Sequence, residues 1–481
     1  MTEKFKIKLF YSFLLVYIGL SSLFVIYELF WLLALPLIIF IAVLFLFSYD
    51  KVLYLIAFST PLAIKLDDKD FGFAVSIPTE PLMFILLVLF LLRLLYENNY
   101  DKKILRHPIT IIVLLNLGWM AFTSVTSSMP LVSFKFFLSR LWFVVAFYFI
   151  LLQILKDYNK IRFFLWLYLV PLSGVIIYTI VNHSNWGFDQ VTSHWVMTPF
   201  YNDHTAYGAI LGLFFPIVIL FFVGRENSGF GRYISILLFI LFIVAIILSY
   251  ARATWVSVLF AITVSAIVLL RIKLVYVGLA AVILGGWFIM NMDQIFMKME
   301  KNKQDSSSDI AKHVQSISNI SSDASNLERI NRWNCAIRMF KSRPVLGWGP
   351  GTYQFQYGTF QMSYDKTIIS TNFGNMGTAH SEYLGPLSES GLLGGLLFMA
   401  LVVTVLYRGI IIAIKGVTRK IRQMSLAIVM GLITYFIHGV LNNFLDTDKL
   451  SVPFWGFVAI IVALDLYHNK KEDQTEVVVQ S

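Results

Sequence analysis

The sequence predicts an all-α polytopic membrane protein of about 12–14 transmembrane helices with one large extracytoplasmic loop. Three observations predict it. Of 481 residues, 58% are hydrophobic and 14% are charged, where a soluble domain carries about 25% charged residues. Apolar runs near the ~20 residues needed to cross a bilayer recur along the chain. Lys and Arg collect in alternate connections between those runs, as the positive-inside rule requires.

The runs lie at 9–27, 30–48, 52–64, 81–97, 108–125, 136–155, 163–181, 204–223, 233–250, 254–270, 274–292, 391–407, 424–441 and 451–467. The run at 52–64 is short and contains Pro61, which suits a re-entrant segment and lowers the count. With Lys4, Lys6 and Lys8 on the cytoplasmic side, every second connection is basic, including Lys102, Lys103 and Arg106, then Lys156, Lys160 and Arg162, and later Arg408 to Arg422. The opposite short loops hold few cations, mainly Lys65, Lys69 and Lys449. Both termini are therefore expected in the cytoplasm.

The net charge of +10 invites a nucleic-acid reading, but the basic residues sit between apolar runs rather than on one face, so no nucleic acid is expected. The single cysteine, Cys335, permits no intrachain disulfide. The basic start lacks a small-residue cleavage site before the next apolar run and reads as a retained first helix. Three regions of one integrated domain follow: a helix bundle over 1–292, the large loop over 293–390, and C-terminal helices with a cytoplasmic tail over 391–481.

The loop divides by composition. Lys301 to Asn326 is rich in Ser, Asn and Asp and reads as mobile. Ser325-Asn326-Leu327-Glu328 is a capping box, so a helix should follow with Ile330, Trp333, Ile337 and Phe340 on its apolar stripe. Pro344 stops that helix, and Gly347, Gly349 and Gly351 make a tight loop.

The candidate functional residues face the same side. Arg329 and Arg332 are three apart and share a helix face, and a guanidinium suits phosphate because its planar fork bonds two oxygens. A basic helix resting on anionic headgroups has the same pattern, and spacing leaves both open. Arg252 lies in a polar break between two apolar helices, on the side where cations are scarce, and Arg140 lies about one turn inside its helix. Both raise the choice between a bound partner and a side chain snorkelling to headgroups. His380 precedes a helix entering the membrane and is a candidate general base, although a lone exposed histidine is commonly inert. His183, His194, His204 and His313 show no metal-ligand spacing, and no metal or cofactor is expected. The Gly347–Gly351 string follows a helix rather than a strand, and the chain lacks a P-loop.

In order along the chain, Phe200-Tyr201-Asn202-Asp203-His204, Ser249-Tyr250-Ala251-Arg252, Arg329-Ile330-Asn331-Arg332-Trp333, Pro344 to Gly351 and His380-Ser381-Glu382-Tyr383-Leu384 stand as a set. Together they resemble the O-antigen ligase and polymerase superfamily of polytopic bacterial glycosyltransferases, over about Pro199 to Asp448. The resemblance implies a GT-C-like fold in the inner membrane. It also implies transfer of a glycan from an undecaprenyl-pyrophosphate carrier to a lipid A-core or other glycan acceptor at the periplasmic face. His380 then matches the family's base, and Arg252 and Arg329 its pyrophosphate-binding arginines, with Arg332 and Arg140 as further substrate-binding candidates. A polymerase of the same superfamily shares these motifs. A lipid-linked oligosaccharide flippase is the alternative from another class; it should show mid-membrane ionisable residues, whereas the polar residues here cluster at one face.

Overall fold

The computed structural model describes residues 3–28, 48–68, 73–97, 100–224, 229–272, 276, 324–367, 369–371 and 377–469. The chain divides into two compact units, Met1–Leu55 and Ile56–Ser481. Helix α1 (Glu3–Ile26) lies in the first unit and coincides with the first expected apolar run. Helix α2 (Tyr49–Ser59) begins there, and its end opens the second unit. The expected runs at 30–48 and 274–292, apart from residues 48 and 276, and most of the polar stretch from Lys301 lie outside the described residues.

The run at 52–64 is not a spanning helix. α2 has 11 residues, too few to cross a bilayer, and Thr60–Leu62 turns into strand β1 (Ile64–Asp68). β1 pairs antiparallel with β2 (Phe73–Ile77), with Ile64 opposite Ile77 and Asp68 opposite Phe73. Alternation of Ile64 and Leu66 with Lys65 and Asp67 is the local cause, since period two suits a strand with unlike faces.

Ten helices among the described residues are long and apolar enough to cross a membrane. They are α3 (Thr79–Glu97), α4 (Pro108–Val125), α5 (Pro130–Ile154), α6 (Tyr158–Ser184), α7 (His204–Val223), α8 (Phe230–Leu248) and α9 (Arg252–Leu269), then, after the non-spanning α10 (Ala324–Ser342), α11 (Leu384–Lys415), α12 (Arg419–Leu441) and α13 (Asp448–His468). The all-α polytopic class is therefore the one observed. α7, α12 and α13 form the centre, with 72%, 78% and 83% of their apolar windows buried, against 17% and 22% for α8 and α9. α8 and α9 thus leave most of their apolar surface uncovered, as suits helices at a lipid boundary.

Local signals start the helices. Pro108 and Pro130 occupy first-turn positions, where a missing N–H costs nothing. Asp203 caps α7 by accepting the amides of Thr205 at 2.7 Å and Ala206 at 2.9 Å. α7 and α9 then approach closely: a Cβ on Gly208 would lie 2.4 Å from Thr254 Oγ1 and 2.6 Å from Ala251 Cβ. That contact, one turn beyond His204 and beside Arg252, draws the two helix starts together.

Lys449, one of the few cations on its side of the chain, has a structural partner set. Its buried Nζ donates to the carbonyls of Thr60 at 2.6 Å, Pro61 at 3.2 Å and Ala63 at 2.6 Å. Neighbouring Asp448 accepts the Thr79 hydroxyl at 2.6 Å. The two residues fasten both flanks of the hairpin to the start of α13.

α11 breaks at Gly391, where φ is +70° and ψ −169°. The break frees carbonyls that a straight helix would use, and the Pro344–Gly351 loop takes them. Trp348 and Gly349 amides donate to Ser388 and Glu389 carbonyls at 3.2 and 2.8 Å, Leu392 N donates to Pro344 O at 2.9 Å, and Trp119 Nε1 donates to Ser390 O at 2.8 Å. Gly347 is required by closeness as well as by its φ of +69°, since a Cβ there would fall 2.3 Å from the Glu389 carbonyl. The glycine string is thus a plug that seats the loop in a notched helix.

Candidate functional site

α10 carries two of the candidate arginines, and its packing differs from the expected stripe. Cys335, Ala336 and Met339 are buried with Tyr353, Tyr357 and Ala379, while Ile337 is 38% exposed. Ile330, Trp333 and Phe340 are half-buried. The buried face continues through Glu328, Asn331 and Arg332, polar residues that the apolar pattern could not select. They are buried because they satisfy one another. Arg332 Nε meets Glu328 Oε1 at 2.6 Å, and Ser370, Thr367 and Asn331 also donate to the Glu328 carboxylate. Burial pushes the Glu328 carboxyl up, but Ser370, Arg332 and Thr367 together hold it below its ordinary value.

The two arginines consequently differ. Arg332 is 5% exposed, and its guanidinium carbon sits 3.8 Å from the Tyr357 ring centroid. Its Nη1 is buried and has no hydrogen-bond partner among the described residues. Arg329, on the same helix, lies within electrostatic reach of His204, His380 and His438.

His380 has a φ of +48°, a left-handed conformation uncommon for a side-chain-bearing residue. Its neighbours impose it. Ala379 is fixed in the α10 core, the Trp333 indole donates to the His380 carbonyl at 3.3 Å, and Ser381 Oγ accepts the amides of Tyr383 at 3.3 Å and Leu384 at 3.4 Å. Glu382 N donates to Gly439 O at 2.8 Å, which ties the segment to the end of α12. Burial first, then Arg329 and Arg332, lowers the His380 imidazole to about 4, with Glu328 and Asp203 opposing. At neutral pH it is uncharged and able to accept a proton.

Arg252, in the first turn of α9, lies within electrostatic reach of two histidines, His194 in the Thr192–His194 turn and His204 at the start of α7. His194 and His204 stack with ring centroids 4.1 Å apart and planes 12° from parallel. Burial lowers the His194 imidazole, Asp203 opposes and Arg252 adds to the lowering. Arg252 and Arg329 both act on His204, so the two arginines converge there.

Arg140 joins a neighbouring cluster. It donates to the Leu445 carbonyl and to Asp446 Oδ1, each at 3.0 Å. With Glu382, Trp119 and Ser390 it lines a small cavity of about 40 Å³. Glu382 accepts the Tyr435 hydroxyl at 2.5 Å and the amides of Phe444 and Leu445 at 2.8 and 2.9 Å. Burial and the Asp446 carboxylate raise its carboxyl, and Arg140 opposes them. Of the acidic residues on this side, Asp446 pairs with an arginine, Glu389 accepts the Tyr353 amide, and Asp448 holds Thr79.

The structure therefore gathers His380, Arg329, Arg332 and Arg252 from three chain segments and adds His438, which the sequence reading did not name, with Asp203 and Glu328, which it named only within a motif and a capping box. His438 is hidden by its setting, the apolar run Tyr435-Phe436-Ile437-His438. The signal that finds it is an ionisable residue inside a spanning helix.

Ten apolar helices with a convergent set of arginines and histidines at one end define a multi-pass membrane protein with a single-ended polar site. A family model described as O-Antigen ligase matches residues 236–399, about a third of the chain, and places that stretch in the O-antigen ligase superfamily. The matched stretch contains Arg252, Arg329, Arg332 and His380; Arg140, His194, His204 and His438 lie outside it. The match supports an O-antigen ligase- or polymerase-type function, a membrane glycosyltransferase-like enzyme acting on lipid-linked glycans in the inner membrane. No curated protein matches the chain.

Proposed function

We propose that the protein transfers a glycan from undecaprenyl pyrophosphate to a lipid A-core or other glycan acceptor at the periplasmic face of the inner membrane. One observation carries the reading: His380 is held neutral beside Arg329 and Arg332. A neutral imidazole next to fixed cations is the combination that attack by a hydroxyl on a pyrophosphate-linked sugar requires.

In this reaction His380 takes the proton of the acceptor hydroxyl as its oxygen attacks the anomeric carbon. The bond between that carbon and the pyrophosphate oxygen breaks, and the electron pair leaves on the phosphate. Arg252 and Arg329 stabilise the developing charge, and Arg332, paired with Glu328, holds the base in an electropositive setting. Binding of the pyrophosphate anion offsets the arginine charges and raises the basicity of His380 toward neutrality. Arg140, engaged with Asp446 and Leu445, supports the α13 side of the site.

A groove of about 390 Å³ between α7, α9 and α12 supports a lipid-linked donor. Phe215, Ile219, Ala261, Ile262, Ala427 and Met430 make it apolar, and it ends at Thr434, one turn below His438 on the same face of α12. An isoprenoid tail in this groove would bring its pyrophosphate to the histidines.

The test is glycan transfer in a deletion strain complemented with His380→Ala, with blotting to establish that the protein is in the membrane. A drop of about 10²–10⁴-fold is the expected loss for a general base. Accumulation of full-length lipid-linked glycan identifies a ligase, and accumulation of single repeat units identifies a polymerase. Normal transfer removes the base assignment and favours a lipid-linked oligosaccharide flippase.

A further inference from the structure

His438 is unused in the reaction above, yet it is 1% exposed and points one nitrogen at nothing among the described residues. Its Nε2 faces the Asn442 amide nitrogen, Nδ2, at 3.2 Å. An amide nitrogen only donates, so Nε2 accepts and the ring proton resides on Nδ1. Asn442 is 4% exposed and caps α12 by donating its backbone amide to the His438 carbonyl at 3.1 Å, so the partner that selects this tautomer is itself fixed. The Nδ1–H is therefore a buried donor without an acceptor, a state as costly as a lost hydrogen bond unless a ligand completes it.

Its surroundings indicate which ligand. His438 lies within electrostatic reach of Arg329, Asp203 and His204, and His204 in turn lies within reach of Arg252. His204 Nδ1 is likewise buried without a partner among the described residues. Two incomplete imidazoles thus converge on the arginines assigned to the pyrophosphate. A phosphate oxygen accepts and never donates, and a nearby cation favours the anion.

We propose that His438 donates its Nδ1–H to a pyrophosphate oxygen of the lipid-linked donor, with Asn442 setting the tautomer that makes this possible. The proposal rests on the transferase reading above and adds an uncharged donor to its arginines. Such a donor supplies direction, because one N–H has one line of approach where a guanidinium has several.

The experiment is calorimetric titration of farnesyl pyrophosphate into the full chain in phosphatidylcholine nanodiscs, for the wild type and for His438→Phe, His438→Asn and His438→Gln. The amide nitrogen of Asn falls where Nδ1 stood, and that of Gln falls where Nε2 stood. Loss of a hydrogen bond to a charged group is expected to weaken Kd by about 10-fold or more in the Phe and Gln variants. The Asn variant should stay within about threefold of wild type, with a donor retained. Wild-type affinity in His438→Phe overturns the proposal, as does an Asn variant that melts like wild type but binds no better than Gln. Phosphatidylglycerol in the discs separates the anion sources: an unchanged Kd supports pyrophosphate, and competition assigns the donor to a lipid headgroup and overturns it. His380→Ala keeps the two readings apart. Transfer that survives His380→Ala while His438→Phe still weakens binding removes the transferase reading and leaves the anion site. Transfer that requires His380 while His438→Phe binds normally removes only the site.

Discussion

Glu328 and Arg332 stand one helical turn apart with Oε1 and Nε at 2.6 Å, and both side chains are nearly buried, at 8% and 7% exposure. This pair is what makes Arg329 and Arg332 unequal. Removing one partner of a buried ion pair leaves an uncompensated charge and costs about 3–5 kcal/mol. Glu328→Gln is therefore expected to loosen α10, with faster hydrogen exchange over residues 327–342 and reduced transfer. Unchanged exchange would show that the pair does not order the segment.

The pH dependence of the base follows from its surroundings. An imidazole at its ordinary value of 6.5 would be mostly protonated at pH 5, with roughly a 25-fold loss of the active form relative to pH 7. His380 is lowered to about 4, so kcat/KM should be nearly flat from pH 7 to pH 5 and fall only as pH approaches 4. Arg329→Gln removes a charge that disfavours the protonated ring, so the acid limb should move upward while the rate also drops. A wild-type limb near 6.5 would refute the coupling.

Gly391 offers a paired test with an internal control. A Cβ at this position would fall 2.1 Å from the Val345 carbonyl oxygen on a backbone with φ +70°, whereas a Cβ on Gly385 meets nothing within 4 Å. Gly391→Ala should lose about 2–4 kcal/mol of stability and unseat the Pro344–Gly351 loop. Gly385→Ala should be neutral or slightly stabilising, by up to about 1 kcal/mol. Melting temperatures of the purified variants in one detergent compare them directly.

Lys449→Met keeps an unbranched side chain only one atom shorter and removes its three donors. Buried carbonyls left unpaired cost about 1–3 kcal/mol each when nothing replaces the donor. A loss of about 3 kcal/mol and increased protease access near residues 60–63 are expected. A variant as stable as wild type would mean that the turn relaxes to other partners.

The spanning helices were legible because lipid imposes a length and a composition that few other constraints override. α4 begins at Pro108 and ends at Val125, and α7 runs from His204 to Val223, both as the apolar pattern requires. The hairpin was less legible, because an apolar window averages over the alternation of Ile64, Lys65, Leu66 and Asp67. On α10 the apolar stripe pointed to Ile337, while burial chose Glu328, Asn331 and Arg332. Polar groups that satisfy one another across 30 or 40 residues, such as Asn331 with Gln361 and Glu328 with Thr367, leave no periodic trace. His380 and Arg252 stood out because they interrupt apolar context at helix ends. His438 lay inside such context, and only the buried nitrogen distinguishes it from a core residue.

The anchors made by Asp448 and Lys449 also set a schedule for biosynthesis. Thr79 waits for a partner 369 residues later, and Thr60 for one 389 residues later. At about 5–20 residues per second, the turn and hairpin flank emerge roughly 20–80 s before the side chains that complete them. During that interval the Thr60–Ala63 carbonyls must be served by water, headgroups or the insertion machinery. A ribosome stalled before α13 would leave a nascent chain with most of its spanning helices already made and its earliest turn still unfastened, the kind of intermediate that membrane quality control is positioned to remove.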